Sequence, residues 1–288
     1  MILIADSGST KCDWQAVEGS EKTLYTTTKG INPFFHDEKT IESFVRVNDD
    51  LIKVSDQVSH VYIYCAGGSN TELNKIVEAG LKRVFSNAKV EVEHDLLGAA
   101  YSTYSGTPAI TCILGTGSNS IAFDGENIKE MVPALAYILG DEGSGSFFGK
   151  RLLSDYLYHS LPHEMDEVLR NEMKITKDDI LENVYMKPYA NVYLASFMKF
   201  IHRFKGSEYM HKILVEGMEK FLKIHVMCYE NHKEIPVNVI GSVGFYFQDE
   251  LRLAAKNLGF EITNICKKPI DGLVKYHIHY KNENSRVK

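Results

Sequence analysis

The 288-residue sequence is most informative first for what it lacks. Its five cysteines (Cys12, Cys65, Cys112, Cys228 and Cys266) contain no C-x-x-C pair. Three of them fall in predicted strands, where Cys acts as a small buried hydrophobe, so a reducing cytoplasm is the expected compartment. The eleven histidines form no H-x-x-H or H-E-x-x-H spacing, which leaves a zinc site without support. No apolar run approaches membrane-spanning length, and the apolar stretch Ile2–Ala5 before Asp6 is too short for a signal-peptide core. Positive charge is also scarce. Lys and Arg number 32 against 38 Asp and Glu, and a net charge of -6 disfavours nucleic-acid binding, which needs cations for phosphates. Low-complexity segments and solenoid repeats are absent. The expected protein is soluble, with no nucleic-acid or membrane partner.

What remains is ordinary globular composition, 44% apolar and 24% charged, in a chain long enough for two domains. Two glycine-rich turns, each entered from an apolar strand, stand out. The first is Ile2-Leu3-Ile4-Ala5-Asp6-Ser7-Gly8-Ser9-Thr10-Lys11; the second is Ile110-Thr111-Cys112-Ile113-Leu114-Gly115-Thr116-Gly117-Ser118. A Gly/Ser/Thr turn brings backbone N–H groups and hydroxyls close to an anion because no Cβ blocks the approach. Two such turns about a hundred residues apart suggest a duplicated fold that grips a polyphosphate.

The spacing of apolar residues predicts strands at Ile2–Ala5, Cys12–Val17 and Thr23–Thr28. Helical spacing follows at Ile41, Phe44, Val45 and Leu51. A strand at Val61–Cys65 ends in Gly67-Gly68, and another at Val90–Glu93 runs into Asp95 and Leu97-Gly98-Ala99-Ala100. The cluster Ser105-Gly106-Thr107-Pro108 marks a domain boundary. Strands restart at Ala109–Leu114, Ser120–Phe123 and Ile128–Val132. The chain is then helical from Ser144 to about Glu230, with a late strand Val237–Ile240 feeding Gly241-Ser242-Val243-Gly244. The pattern is α/β with a meander at the front.

With these residues in view, the chain resembles the N-acetylglucosamine kinase and BadF/BadG-type ATPase group of the actin- and hexokinase-like superfamily. Asp6–Lys11 resembles the first phosphate loop, and Glu93–Ala100 the segment whose Asp is the catalytic base. Leu114–Ser118 is similar to the second phosphate loop, Ile240–Gly244 to the adenosine motif, and Leu139–Ser146 to the Gly-Asp-Glu-Gly-Ser block whose Asp contacts sugar. The resemblance implies two ribonuclease-H-like domains, 1–106 joined by 270–288, and 107–269 with a helical insertion, with ATP and substrate in the cleft between them. It implies ATP-dependent phosphorylation of an amino sugar, N-acetylglucosamine first, at its primary hydroxyl, with Mg²⁺. Where such kinases carry a Gly-Trp-Gly-like segment, this chain reads Pro133-Ala134-Leu135-Ala136-Tyr137. Glucosamine and N-acetylmuramyl acceptors therefore stay open, as does an ATPase that signals to a partner protein. The activators of 2-hydroxyacyl-CoA dehydratases, which share the fold, carry cluster-ligating cysteines in a region where this chain has none, between Cys112 and Cys228. A homodimer is left open.

Each expected site residue also has a purely structural role it could fill. Asp6 is expected near Mg²⁺, through water, and Asp before Gly is also a turn former. Ser7, Gly8, Ser9, Thr10 and Lys11 are expected at the phosphates with Gly115, Thr116, Gly117 and Ser118, although Lys11 equally suits a solvated surface. Asp95 is expected as general base, at a position where Asp also caps helices. Asp141 is expected to bind sugar hydroxyls with Glu142 alongside, and a capping role competes for Asp141. Asn32 and Gly67 are expected on the substrate, with turn chemistry as their alternative. Gly241 and Ser242 are expected against adenine or ribose.

Overall fold

A computed structural model of the chain describes residues 1–8, 10–68 and 70–281. The chain divides into two compact units, Met1–Thr107 with the segment from Lys268, and Pro108–Lys267.

In the first unit, strands β1 (Ile2–Ser7), β2 (Lys11–Glu18), β3 (Glu21–Lys29), β4 (His60–Cys65) and β5 (Lys89–His94) form one sheet in the order β3-β2-β1-β4-β5. The pairs β1/β2 and β2/β3 are antiparallel, whereas β1/β4 and β4/β5 are parallel. Helices α1 (Glu38–Arg46), α2 (Asp49–Val54) and α3 (Thr71–Lys82) join the strands, and α4 (Asp95–Thr103) follows β5 directly. Their starts are written locally: Asp37 caps α1 by accepting from Thr40 N–H at 2.8 Å, and Asn70 caps α3 through Glu72 N–H.

Alternation along β1 sorts its side chains between two cores. Leu3 and Ala5 pack with Trp14, Ile41, Val45, Val77 and Leu81. Ile4 packs on the opposite face with Val17, Tyr64, Leu273 and Val274.

The second unit repeats the plan. Strands β6 (Ala109–Leu114), β7 (Ser118–Phe123), β8 (Ile128–Lys129), β9 (Val237–Ile240) and β10 (Asn264–Cys266) lie in the order β10-β9-β6-β7-β8. Again the first three strands form an antiparallel meander and the last two run parallel to the first. Between β8 and β9 the chain inserts α5 (Ala136–Leu139), α6 (Gly145–Leu157), α7 (His163–Glu167), α8 (Lys177–Leu181), α9 (Ala190–Ser196), α10 (Met198–Arg203) and α11 (Glu208–His225). Helix α11 buries Met210, Ile213, Leu214, Gly217, Met218, Phe221 and Leu222, a three-and-four spacing that makes one continuous apolar stripe. After β9 come α12 (Ser242–Tyr246) and α13 (Gln248–Asn257), and after β10 the chain re-enters the first unit and forms α14 (Ile270–Tyr276). Among the described residues no helix is long and apolar enough to cross a membrane.

The two sheets share one topology, the duplicated α/β plan that the resemblance to the actin- and hexokinase-like superfamily implies. In each half the central strand delivers a glycine turn at its carboxyl end, where open α/β sheets bind ligands.

Candidate functional site

In the first unit, strand parity aims Asp6. It shares the Ile4 face of β1, and its cross-strand partner on β2 is Asp13. Asp95 reaches the same place from the end of β5. Gly98 is what lets α4 sit there: a Cβ on it would lie 2.7 Å from Tyr64 on β4. Asp95 is the first residue of α4 rather than its cap; the cap position belongs to His94, whose side chain makes no capping bond. The His94 ring instead lies 3.3 Å from the Asp95 carboxylate.

The electrostatics follow from this crowding. Burial pushes the Asp6 carboxyl up to about 8, helped by the neighbouring charges of Asp95 and Asp13 and opposed by Lys268. Burial also raises Asp95, with His94 pulling the other way. Two carboxyl groups that hold their protons more tightly than usual therefore sit together at the carboxyl edge of a parallel sheet.

The first turn is braced from below. The Ser7 hydroxyl is buried, donates to Ile31 O at 3.0 Å and accepts from Ile31 N–H at 2.7 Å, which fits it to hold the loop after β3. Gly8 N–H donates to Lys11 O, while Gly8 and Thr10 are exposed. Lys11 Nζ donates to Asp13 at 2.8 Å. Ser9 lies outside the described residues. Asn32 takes up its turn role, accepting from Phe34 N–H at 2.9 Å through its side chain. Gly67, at φ +85°, comes close to Asn32 and to Phe34, so the structure brings Asn32 and Gly67 together.

In the second unit, the loop of Gly115, Thr116, Gly117 and Ser118 is stitched to the segment that opens α6. Gly145 N–H donates to Gly115 O at 2.8 Å, Ser146 N–H to Thr116 O at 3.1 Å, and Ser118 Oγ to Glu142 O at 2.8 Å. Ser144, not Asp141, caps α6, accepting from Phe147 N–H. Asp141 instead accepts from Ser118 N–H at 3.1 Å. It does so from a left-handed backbone (φ +56°), a conformation Asp tolerates better than most residues and one that marks functional sites. Burial raises its carboxyl, against the pull of Ser118 N–H and Lys150.

Glu142 turns the other way, toward α11, with Lys220 and His225 each 3.8 Å from its carboxylate. The adjacent acids thus have different surroundings. Gly241 closes the set: a Cβ there would lie 2.4 Å from Leu114 O, so the turn after β9 presses on the turn after β6, with Ser242 exposed beside it.

Three residues that sequence reasoning passed over belong to these groupings: Asp13, Lys150 and Lys268. Lys150 on α6 donates to Tyr137 O and carries positive charge toward Asp141 and Glu142. Asp13 had a signal, an acid set in the predicted strand Cys12–Val17 beside the first glycine turn. A surface depression of about 360 Å³ between β3 and α1, lined by Thr28, Lys29, Phe44 and Asn48 among others, contains none of the expected site residues. Among the described residues no three His, Cys, Asp or Glu side chains are gathered as a metal cage.

No protein-family model and no curated protein matches the sequence. Solved structures do. One from Porphyromonas gingivalis, described as a candidate N-acetylglucosamine kinase, aligns with a TM-score of 0.92 at 34% identity, covering 98% of this chain and 100% of that one. Another from Chromobacterium violaceum, under the same description, gives 0.72 at 15% identity over 96% and 99%. A ROK-family glucokinase from Streptomyces griseus, solved with glucose and AMPPNP, gives 0.53 at 13% identity over 96% and 97%. The last two are alike in fold alone. The first, similar in sequence across its whole length, carries more, and on it the chain belongs to the N-acetylglucosamine kinase type of sugar kinase within the hexokinase-like ATPase superfamily.

Proposed function

We propose that this sugar phosphotransferase moves the γ-phosphate of ATP to the primary hydroxyl of an amino sugar, with N-acetylglucosamine as the first acceptor. The observation that carries the reading is Asp95, a partly exposed carboxyl at the end of β5 whose proton affinity burial has raised. Transfer to an alcohol needs an acceptor for the hydroxyl proton, and a carboxylate with an elevated pKa is a better base at neutral pH than an ordinary one. Beyond that, phosphoryl transfer is positioning and charge stabilisation. The turns at Gly8–Lys11 and Gly115–Ser118 supply phosphate contacts in this reading, and Gly241 and Ser242 border the nucleoside. Asp141, Asn32 and Gly67 face the sugar in this reading, whereas Glu142, held by Lys220 and His225 on α11, is not among the sugar contacts.

Mg²⁺ fits Asp6. Burial, with the neighbouring charges of Asp95 and Asp13, makes the carboxyl hold its proton, and a nearby dication would favour its ionised form. Mg²⁺ keeps most of its water, so a single carboxylate acting through water suffices without a protein cage. When bound, the ion would neutralise phosphate charge.

The test is coupled ADP release with N-acetylglucosamine, glucosamine and an N-acetylmuramyl sugar. Turnover that depends on one of these sugars supports the reading and names the acceptor. Turnover indifferent to all of them overturns it in favour of an ATPase.

A further inference from the structure

Where the chain re-enters the first unit, Lys268 is tied down at once. Its Nζ donates to Asp13 Oδ1 at 3.1 Å and to Tyr25 OH at 2.8 Å. The same Asp13 oxygen accepts Lys11 Nζ at 2.8 Å and the Tyr25 hydroxyl. Asp13 is nearly buried, with 9% of its side chain exposed, whereas Lys11 and Lys268 keep 44% and 39%. Two half-open ammonium groups thus converge on one closed carboxylate oxygen, more positive charge than Asp13 alone balances.

Its position matters more than its composition. Asp13 is the cross-strand partner of Asp6, and Lys11 O accepts Gly8 N–H across the first glycine turn. Two ammonium groups exceed the charge of Asp13 by one, and Lys268 also acts on the neighbouring Asp6 carboxyl. A half-exposed surplus cation beside a turn of small residues is suited to an anion. We propose that Lys268 binds the terminal phosphates of the nucleotide, and that Asp13 is the positioning residue that holds Lys268 and Lys11 at the turn. The proposal rests on reading Gly8–Lys11 as a phosphate loop and is independent of which sugar is phosphorylated.

Calorimetric titration of the full chain with Mg-AMPPNP, Mg-ADP, AMP and adenosine tests it, using wild type, Lys268→Met, Lys268→Arg and Asp13→Asn. Loss of a charge-assisted contact should weaken AMPPNP and ADP in Lys268→Met by about ten- to a hundredfold. AMP and adenosine should bind as before, and Lys268→Arg should recover most of the loss. Asp13→Asn frees the ammonium groups without removing them, so AMPPNP should still bind while sugar-dependent kcat falls about tenfold. An equal loss for all four ligands in Lys268→Met, or no loss for any, overturns the assignment. If Asp13→Asn fails to fold, the Lys268 variants decide alone. If wild type binds AMPPNP but no sugar stimulates turnover, the sugar reading fails while the phosphate selectivity of Lys268→Met still decides this one.

Discussion

The backbone N–H of Ser118 donates to the Asp141 carboxylate at 3.1 Å. The residue expected at the sugar is therefore bonded to the loop expected at the phosphates. Gly117, next to Ser118 in the chain, also lies against Asp141, since a Cβ on it would come 2.9 Å from Asp141 Oδ2. The Ser118–Asp141 bond joins the two expected sites within a single unit.

Asp141→Ala removes a carboxylate proposed to accept from sugar hydroxyls. A lost charge-assisted contact of about 1.5–3 kcal/mol should lower N-acetylglucosamine affinity roughly ten- to a hundredfold. AMPPNP affinity should change far less, because the groups that lose an interaction, the Ser118 N–H and the Lys150 ammonium, keep their places. Titrating the variant with each ligand separately checks this. Collapse of AMPPNP binding with sugar binding intact would place Asp141 at the nucleotide instead.

The glycines of the second loop separate fold from ligand. A Cβ added at Gly115 meets nothing within 4 Å, and its backbone lies outside the left-handed region, so Gly115→Ala should melt within a degree or two of wild type. Its ATP affinity should nonetheless fall by tenfold or more if phosphate approaches the backbone there. Gly117→Val crowds Asp141 and should weaken ATP and sugar together while the protein stays folded. A Gly115→Ala protein with unaltered ATP affinity removes this loop from the nucleotide site.

Asp6 sets a pH dependence for the ligand-free protein. Its folded pKa of about 8 lies above that of an unfolded Asp, about 4, so between these values the native state holds a proton that the unfolded state has lost. The stabilisation is complete below about pH 4 and disappears as pH rises through about 8. Thermal melts from pH 5 to 8 should show wild-type Tm declining along a slope that Asp6→Asn lacks. Parallel curves for the two proteins would rule out the elevated pKa.

How far the sequence carried depends on the kind of contact involved. Strand β1 was legible because its alternation and its glycine turn are local, and the structure lengthens it only from Ala5 to Ser7. The helical stretch after Ser144 was read as one region, yet it is divided by caps at Ser144, Thr176 and Ser207. The predicted strand Ile128–Val132 shrinks to Ile128–Lys129, an exposed pair at the sheet edge before Pro133. Strand β10 was missed because three residues show no period; it exists by parallel pairing to β9. Asp13 and Lys268 are 255 positions apart, and their meeting depends on where the chain returns, which no local pattern encodes.

Asp95 is the residue on which the proposed chemistry turns. Asp95→Asn keeps the shape of the side chain and removes its ability to take a hydroxyl proton at neutral pH. Helix α4 does not depend on Asp95 as its cap, because His94 occupies that position, so the variant should fold. Turnover should fall by roughly 10²–10⁴-fold, the usual scale of general-base catalysis. Sugar and ATP should still bind, since the lost interaction acts chiefly in the transition state. In wild type, the acid limb of kcat should lie above the ordinary Asp range, because burial raises the Asp95 pKa and the base works only when ionised. The measurements are kcat against pH, both dissociation constants and a thermal melt of the variant. A folded Asp95→Asn protein with near-wild-type kcat would end the assignment of Asp95 as the base. One that unfolds would show that the carboxylate serves the start of α4.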